Sequence, residues 1–260
     1  MNVKEDAVLY ERKGNVGFII FNRPHRLNAI NGRFLDDFIR HLLTAKKDTE
    51  VVTVVMTGRG SSFCVGEDLK ETAGGKSFEQ WIAEVDRLQD IQRQTLQLNK
   101  PLIAMCRGYA VGGGCEFALS CDFRIADETA KFGFPETGIG LSITQAGTKL
   151  LSQVVGLGKA KELALTGEFI DAREACRIGL VNYVVKPEEL EERVNTFCEV
   201  IGKRSPMSLR FARAAIDQGL HSSFEQVMEM ETAHLLSLGG SGYERSFVER
   251  RMKEHGMKRD

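Results

Sequence analysis

The chain has 260 residues, 42% of them apolar and 27% charged, with a formal net charge of −1. That length suits one large domain, or a domain with a helical appendage, and buries most of its apolar surface without disulfide or metal staples. A net charge near zero excludes a global field that would draw in nucleic acid or an anionic membrane, so neither is expected as a partner.

Residues 8–10 and 16–21 flank Lys13-Gly14-Asn15 and read as strand, turn, strand. Asn22-Arg23-Pro24 breaks the second strand. Residues 32–47 have helical period, with Phe34, Leu35, Phe38, Leu42 and Leu43 as the apolar face. Residues 51–56 read as a buried strand that ends in the loop from Thr57 to Ser62. A long helix is predicted over 77–98, opened by a capping box from Ser77 to Gln80. Buried strands follow at 102–106 and 123–126, with a helix starting at Gly112 between them. From about Gln145 the pattern is almost wholly helical, except for a late strand at 181–185. Leu238-Gly239-Gly240-Ser241-Gly242 reads as a flexible break between the last two helices. Strands alternating with helices give an α/β domain followed by a helical C-terminal third. No internal repeat is evident. The basic run from Glu249 to Glu254 is interleaved with acids and reads as a solvated helix face.

Residues 1–11 are polar and charged, so no signal peptide is expected, and no apolar run is long enough to span a bilayer. Six cysteines (Cys64, Cys106, Cys115, Cys121, Cys176 and Cys198) lie mostly in apolar runs without a C-x-x-C pair. They read as free thiols in a reducing compartment, which places the protein in the cytoplasm. His25, His41, His221, His234 and His255 are scattered. No metal-ligand spacing exists among them, and local Ser-His or Cys-His signatures are lacking, so no metal is expected.

Two carboxyls stand out. Glu116 follows Gly112-Gly113-Gly114-Cys115, and Glu136 lies between Phe132-Gly133-Phe134-Pro135 and Thr137-Gly138-Ile139-Gly140. At Gly112 a buried strand gives way to a helix, whose first N–H groups have no partner inside it and can face an anion. A tight packing turn explains the same glycines equally well, and the spacing does not fit a dinucleotide fingerprint. The segment from Ser62 to Lys70 also follows a buried strand. Its backbone can bring a second N–H to the same end of the sheet, or it can be a surface loop. Two N–H donors would make an oxyanion hole. The helix and the returning strand cover similar lengths, about 15 Å by their rises per residue. Glu136 can therefore come back beside Glu116. Taken singly, each acid also reads as a surface residue. Together they suggest proton movement next to an acyl thioester carbonyl. Cys115 reads as a packed helix residue rather than a nucleophile.

The motifs resemble those of the crotonase, or enoyl-CoA hydratase/isomerase, superfamily from about Val8 to the last helix. The anchors are Asn22-Arg23-Pro24, Leu27-Asn28-Ala29, the segment from Phe63 to Lys70, Lys100-Pro101-Leu102-Ile103-Ala104, and the run from Gly108 to Glu116. Phe132 to Glu136, Leu165-Thr166-Gly167, Ala175 and Gly179-Leu180-Val181 complete the set. The resemblance implies a spiral of ββα units over 1–200 and a helical oligomerisation region over 201–260, giving a homotrimer or a dimer of trimers. It implies a coenzyme A thioester as substrate and no separate cofactor. The N–H groups of Glu67 and Gly113 would hold the thioester oxygen. Glu116 would activate water for attack at C3, and Glu136 would handle the proton at C2. The backbone around Cys64, Val65, Gly66 and Asp68 would contact the adenine end, with Arg26 and Lys70 near the phosphates. Trp81, Ile82, Val85 and Leu88 would line the acyl side together with Leu141, although a helical stripe is first of all core packing.

Both glutamates together favour hydration, because simple enoyl isomerases usually keep only the acid at the Glu136 position. The chain departs from common hydratases at Glu67, where a small residue is usual. It departs also in Ile139-Gly140-Leu141-Ser142-Ile143-Thr144-Gln145-Ala146-Gly147-Thr148, where a Pro-Gly-rich stretch is usual, and at Gly239-Gly240-Ser241-Gly242-Tyr243, where a Glu-Gly pair is usual. The expected activity is trans-2-enoyl-CoA hydration. The alternatives are hydration of a cyclic or dienoyl-CoA, enoyl-CoA isomerisation, and a non-catalytic acyl-CoA-binding scaffold.

Overall fold

Residues 6–257 are described by the computed structural model of the chain, so part of the polar opening segment lies outside the described residues. β1 (Val8–Lys13) and β2 (Val16–Phe21) form an antiparallel hairpin. α1 (Gly32–Lys47) starts where the Asn31 side chain accepts the Phe34 N–H at 3.0 Å. β3 (Thr53–Gly58) begins at Thr53 rather than Val51 and leads through α2 (Leu69–Thr72) to α3 (Phe78–Leu96). The predicted capping box is present, with Ser77 accepting from the Gln80 N–H and Gln80 accepting from the Ser77 N–H.

β4 (Leu102–Cys106), β5 (Tyr109–Val111) and α4 (Gly113–Leu119) follow one another, and the same advance repeats in β6 (Phe123–Asp127), β7 (Lys131–Gly133) and α5 (Gly147–Val155). α6 (Leu157–Thr166), β8 (Ile170–Asp171), α7 (Ala172–Arg177) and β9 (Tyr183–Val185) complete the sheets. The larger sheet has the order β1-β2-β3-β4-β6-β9 and is parallel beyond the first hairpin. The smaller one has the order β5-β7-β8. Each turn of the spiral thus takes the chain from the large sheet to the small sheet and then into a helix.

α8 (Leu190–Gly202) covers one face of the large sheet, placing Leu190, Val194 and Cys198 against Val55, Ile103 and Ile125. Fully buried β3 and β4 are what a parallel sheet covered on both sides requires. α9 (Pro206–Gly219), α10 (Phe224–Ser241) and α11 (Arg245–Glu254) end the chain. On α11, Arg250 and Arg251 both pair with Glu254 in the open, as a solvated face should.

The structure adds to the sequence reading at one place and corrects it at another. β5, β7 and β8 had no separate reading, because strands of two or three residues are too short to show alternation. The expected break over residues 238–242 is narrower than predicted. α10 runs through Gly239 and Gly240 and stops only at Gly242, whose φ of +67° makes the turn. A helix opened by the Ser223–Gln226 capping box carries two interior glycines, at about 1 kcal/mol each relative to alanine.

The core positions the site. Phe21, Phe34, Phe38, Phe63 and Phe117 pack with ring centroids 5.0 to 6.0 Å apart. Phe117 belongs to α4 and directly follows Glu116, so five rings from four segments fix the start of that helix. Its other end is held by buried Arg124, which donates to Ala118 and Cys121 carbonyls at 3.3 and 2.7 Å. A cation at the C-terminal carbonyls of a helix also favours its dipole.

Candidate active site

The glycines before Glu116 serve close approach. Gly112 has φ +56°, a backbone conformation in which a side chain is strained, and a Cβ there would also press on Glu136 Oε1 at 3.2 Å. Gly66 has φ +79°, and a Cβ there would meet the Val111 carbonyl oxygen at 3.0 Å and the Gly113 nitrogen at 3.1 Å. The 64–68 segment and the start of α4 therefore lie backbone against backbone. Ile30 holds that segment by donating to the Gly66 carbonyl at 2.8 Å and accepting from the Asp68 N–H at 2.9 Å. Bonds to the residues on either side leave the Glu67 N–H turned to the opposite edge. Gly113 is the first residue of α4, and its N–H has no acceptor within the helix. Glu67 and Gly113 both line the same cavity.

Glu116 is 1% exposed. Its Oε1 accepts N–H bonds from Gln145 at 2.7 Å and Gly147 at 3.2 Å, and Oε2 accepts from Thr144 at 3.4 Å. Ala146, with φ +61°, bends the chain so that these N–H groups converge. Such a bend makes a backbone nest for an anion. Burial nevertheless pushes the Glu116 carboxyl up to about 7, against the three N–H bonds and with help from the charge of Glu136. Sequence reasoning missed this cradle, because backbone donors leave no residue-type signature. The only signal was Gly147, where a Cβ would stand 2.7 Å from Glu116 Oε1.

Glu136 sits in the first turn of a 3-10 helix over Pro135–Ile139, directly after β7. It is buried, its carboxyl is raised by burial, and its Oε2 has no hydrogen-bond partner. The two acids meet at one cavity of about 850 Å³ that also takes in Glu67, Gly112 and Gly113.

The remaining predicted residues divide. Trp81 and Leu141 line the cavity, as do Val85 and Leu88, and Val65 forms part of its mouth. Ile82 does not line it and is exposed. Positions 81, 84, 85 and 88 share a helix face, and 82 is turned a quarter-circle away. The true fourth member of the face is Glu84. The Glu67 side chain does not point clear of the site. It pairs with Lys76, which also bonds Glu84 at 2.6 Å and stands 4.5 Å from the Trp81 ring centre. Burial raises the Glu84 carboxyl. Cys64 is buried, with its thiol pushed up to about 12. Asp68 is occupied by Arg23 at 2.9 Å, which holds its carboxyl below the usual range despite burial. Neither side chain is free to bind, and their backbone groups are already paired, Cys64 with Tyr109 and Val111 and Asp68 with Ile30, Glu71 and Thr72, which leaves the backbone of Val65, Gly66 and Glu67 between them. Arg26 is half-buried and Lys70 exposed, next to the cavity residues Leu27 and Leu69. Cys115 is buried, with its thiol raised by burial, and is inert as a nucleophile.

A spiral of ββα units with paired buried carboxyls at its glycine turns is the arrangement of acyl-thioester enzymes of the crotonase type. The family model described as Enoyl-CoA hydratase/isomerase matches residues 11–256, and the chain belongs to that family. It is 38% identical to the short-chain-enoyl-CoA hydratase of Clostridium acetobutylicum over 231 residues, covering 86% of each chain. It is 36% identical to the crotonyl-CoA hydratase of Syntrophomonas wolfei over 228 residues, covering 87% of each. Among solved structures, the enoyl-CoA hydratase from Bacillus anthracis superposes with a TM-score of 0.85 at 34% identity, covering 88% of this chain and 89% of that one.

Proposed function

We propose that the chain is an enoyl-CoA hydratase, a lyase that reversibly adds water across the 2,3 double bond of an enoyl-CoA thioester. The observation that carries this is the pair of buried carboxyls, Glu116 and Glu136, facing one cavity beside the N–H groups of Glu67 and Gly113. The Glu116 carboxylate takes a proton from water as its oxygen bonds to C3. The electron pair of the C2–C3 double bond shifts to C1–C2 and the carbonyl pair moves onto the thioester oxygen, where the Glu67 and Gly113 N–H groups stabilise the enolate. Glu136 delivers a proton to C2 and the carbonyl re-forms, after which Glu116 gives up the proton it took and Glu136 regains one, so the net change is one water added. Reversal recovers the enoyl thioester. The chemistry calls for no redox group. The relatives named for crotonyl-CoA and short-chain enoyl-CoA hydration support the substrate class.

Coenzyme A would lie along the 64–68 backbone, with its phosphates toward Arg26 and Lys70. Exposed apolar side chains on the last helices, among them Ile216, Phe224, Leu235 and Leu236, support assembly through residues 201–260 into trimers or pairs of trimers. Among the described residues no helix is long and apolar enough to cross a membrane. That suits a cytoplasmic enzyme.

The test follows loss of the conjugated-thioester absorbance of crotonyl-CoA. Glu116→Gln and Glu136→Gln should each lower kcat by about 10²- to 10⁴-fold. Unchanged turnover in both variants would sink this assignment of roles.

A further inference from the structure

Gln145 is a residue that hydration as written does not use. It is 1% exposed, its backbone N–H holds Glu116, and the residue lines the cavity. Neither Oε1 nor Nε2 has a hydrogen-bond partner. A Cβ on Gly113 would lie 3.4 Å from Nε2, so the carboxamide stands beside the residue proposed to hold the thioester oxygen. An amide left unpaired in a buried wall is a standing penalty unless a ligand supplies what it lacks. It lacks an acceptor for its N–H and a donor for its oxygen, and one hydroxyl provides both.

Position narrows the ligand. From beside Gly113 the amide reaches only the first few carbons of an acyl group. An oxygen on C2 or C3 of the double bond would be an enol, so the first carbon that can carry a hydroxyl is C4. Charge narrows it further. Glu67 and Glu84 share a single Lys76 on the same cavity, and Glu116 and Glu136 add two more carboxyls. A carboxylate on the acyl chain would enter a cavity that holds four acidic side chains and one base, where burial already disfavours negative charge.

We infer that Gln145 is a specificity-determining residue that selects enoyl-CoA thioesters bearing a neutral hydroxyl at C4. The inference rests on the hydratase reading for its reaction, not for its binding. A site built to bond a substrate hydroxyl discriminates against the analogue that lacks it, because the amide then stays unpaired.

The experiment compares wild type with Gln145→Met, a change of similar length and no hydrogen bonding, on crotonyl-CoA, 4-hydroxycrotonyl-CoA and glutaconyl-CoA. Wild type should favour the hydroxylated substrate by about tenfold or more in kcat/KM. The variant should lose that preference through KM, while glutaconyl-CoA stays the poorest substrate throughout. Equal loss on crotonyl- and 4-hydroxycrotonyl-CoA would assign the amide to the attacking water and overturn the inference. A preference for glutaconyl-CoA would overturn it also. Affinities of wild type for butyryl-CoA and 4-hydroxybutyryl-CoA, neither of which can be hydrated, provide the independent arm. If the hydroxyl gives no gain there, the inference fails whether or not the variant folds. If wild type hydrates no enoyl-CoA but binds the hydroxylated thioester more tightly, the hydratase reading fails and the Gln145 subsite stands.

Discussion

Glu116 and Glu136 reach the same cavity from two short helical turns, but the chain holds them in opposite ways. Three N–H bonds from residues 144–147 grip Glu116, and an aromatic cluster fixes the helix beneath it. Glu136 has one oxygen without a partner and open space around the neighbouring Gly138. Both carboxyls are raised chiefly by burial. The cradle therefore does not set the charge of Glu116 so much as its position. A group that orients a water molecule needs a fixed oxygen, and a group that passes a proton to carbon needs an uncommitted one. The difference matches the division of work proposed for the two acids.

The largest effect expected from this contrast is on stability. The Glu116 carboxyl rises from 4.5 to about 7 on folding, so the fold favours its protonated form. That contribution is whole below pH 4.5 and fades as the pH climbs through about 7. Wild type should lose about 3 kcal/mol relative to Glu116→Gln across that window. Paired thermal melts between pH 4.5 and 8 measure it. Parallel curves for the two proteins would show that the cradle, not burial, governs Glu116. Activity should move the other way. Only the carboxylate can act as base, so kcat/KM should fall as the pH drops below about 7.

Two glycine substitutions probe position directly. At Gly147 a new Cβ would press on Glu116 Oε1 at 2.7 Å, on its Cγ at 2.8 Å and on Ile143 at 2.9 Å. Gly147→Ala should lower kcat about 10²-fold by displacing the carboxylate, with a smaller change in KM. At Gly138 nothing lies within 4 Å of the new atom, so Gly138→Ala should leave kcat within about twofold. Equal effects at both glycines would erase the distinction between a gripped acid and a free one.

How much of this was legible follows from which atoms do the work. The helix over 32–47 and the Ser77 cap were readable because they depend on side-chain period and side-chain oxygen. Glu116 and Glu136 stood out because glycines that permit backbone approach flank both. The small sheet, the spine of the spiral turns, was hidden in strands of two or three residues. The grip on Glu116 was hidden because peptide N–H groups from Thr144, Gln145 and Gly147 supply it, and only the glycine among them is demanded by the space available. Glu84 was passed over in favour of Ile82 because an acid on a cavity-facing stripe contradicts the apolar pattern. Only the fold reveals its partner Lys76, which lies before the helix and reaches back over Trp81.

The smallest effect concerns that helix. Ser77 caps α3, which carries Trp81 and Glu84 to the wall of the same cavity. Ser77→Ala removes the acceptor for the Gln80 N–H and should lower stability by about 1 kcal/mol. Fraying of the first turn loosens Trp81 and Lys76, so KM for crotonyl-CoA should rise modestly. The acidic limb of kcat/KM should nevertheless stay near pH 7, since Glu116 takes its hydrogen bonds from residues 144–147 and none from α3. A limb that moves with the cap would mean that the α3 wall, and not the local burial of Glu116, sets its protonation. The contrast between the two acids would then belong to the cavity as a whole.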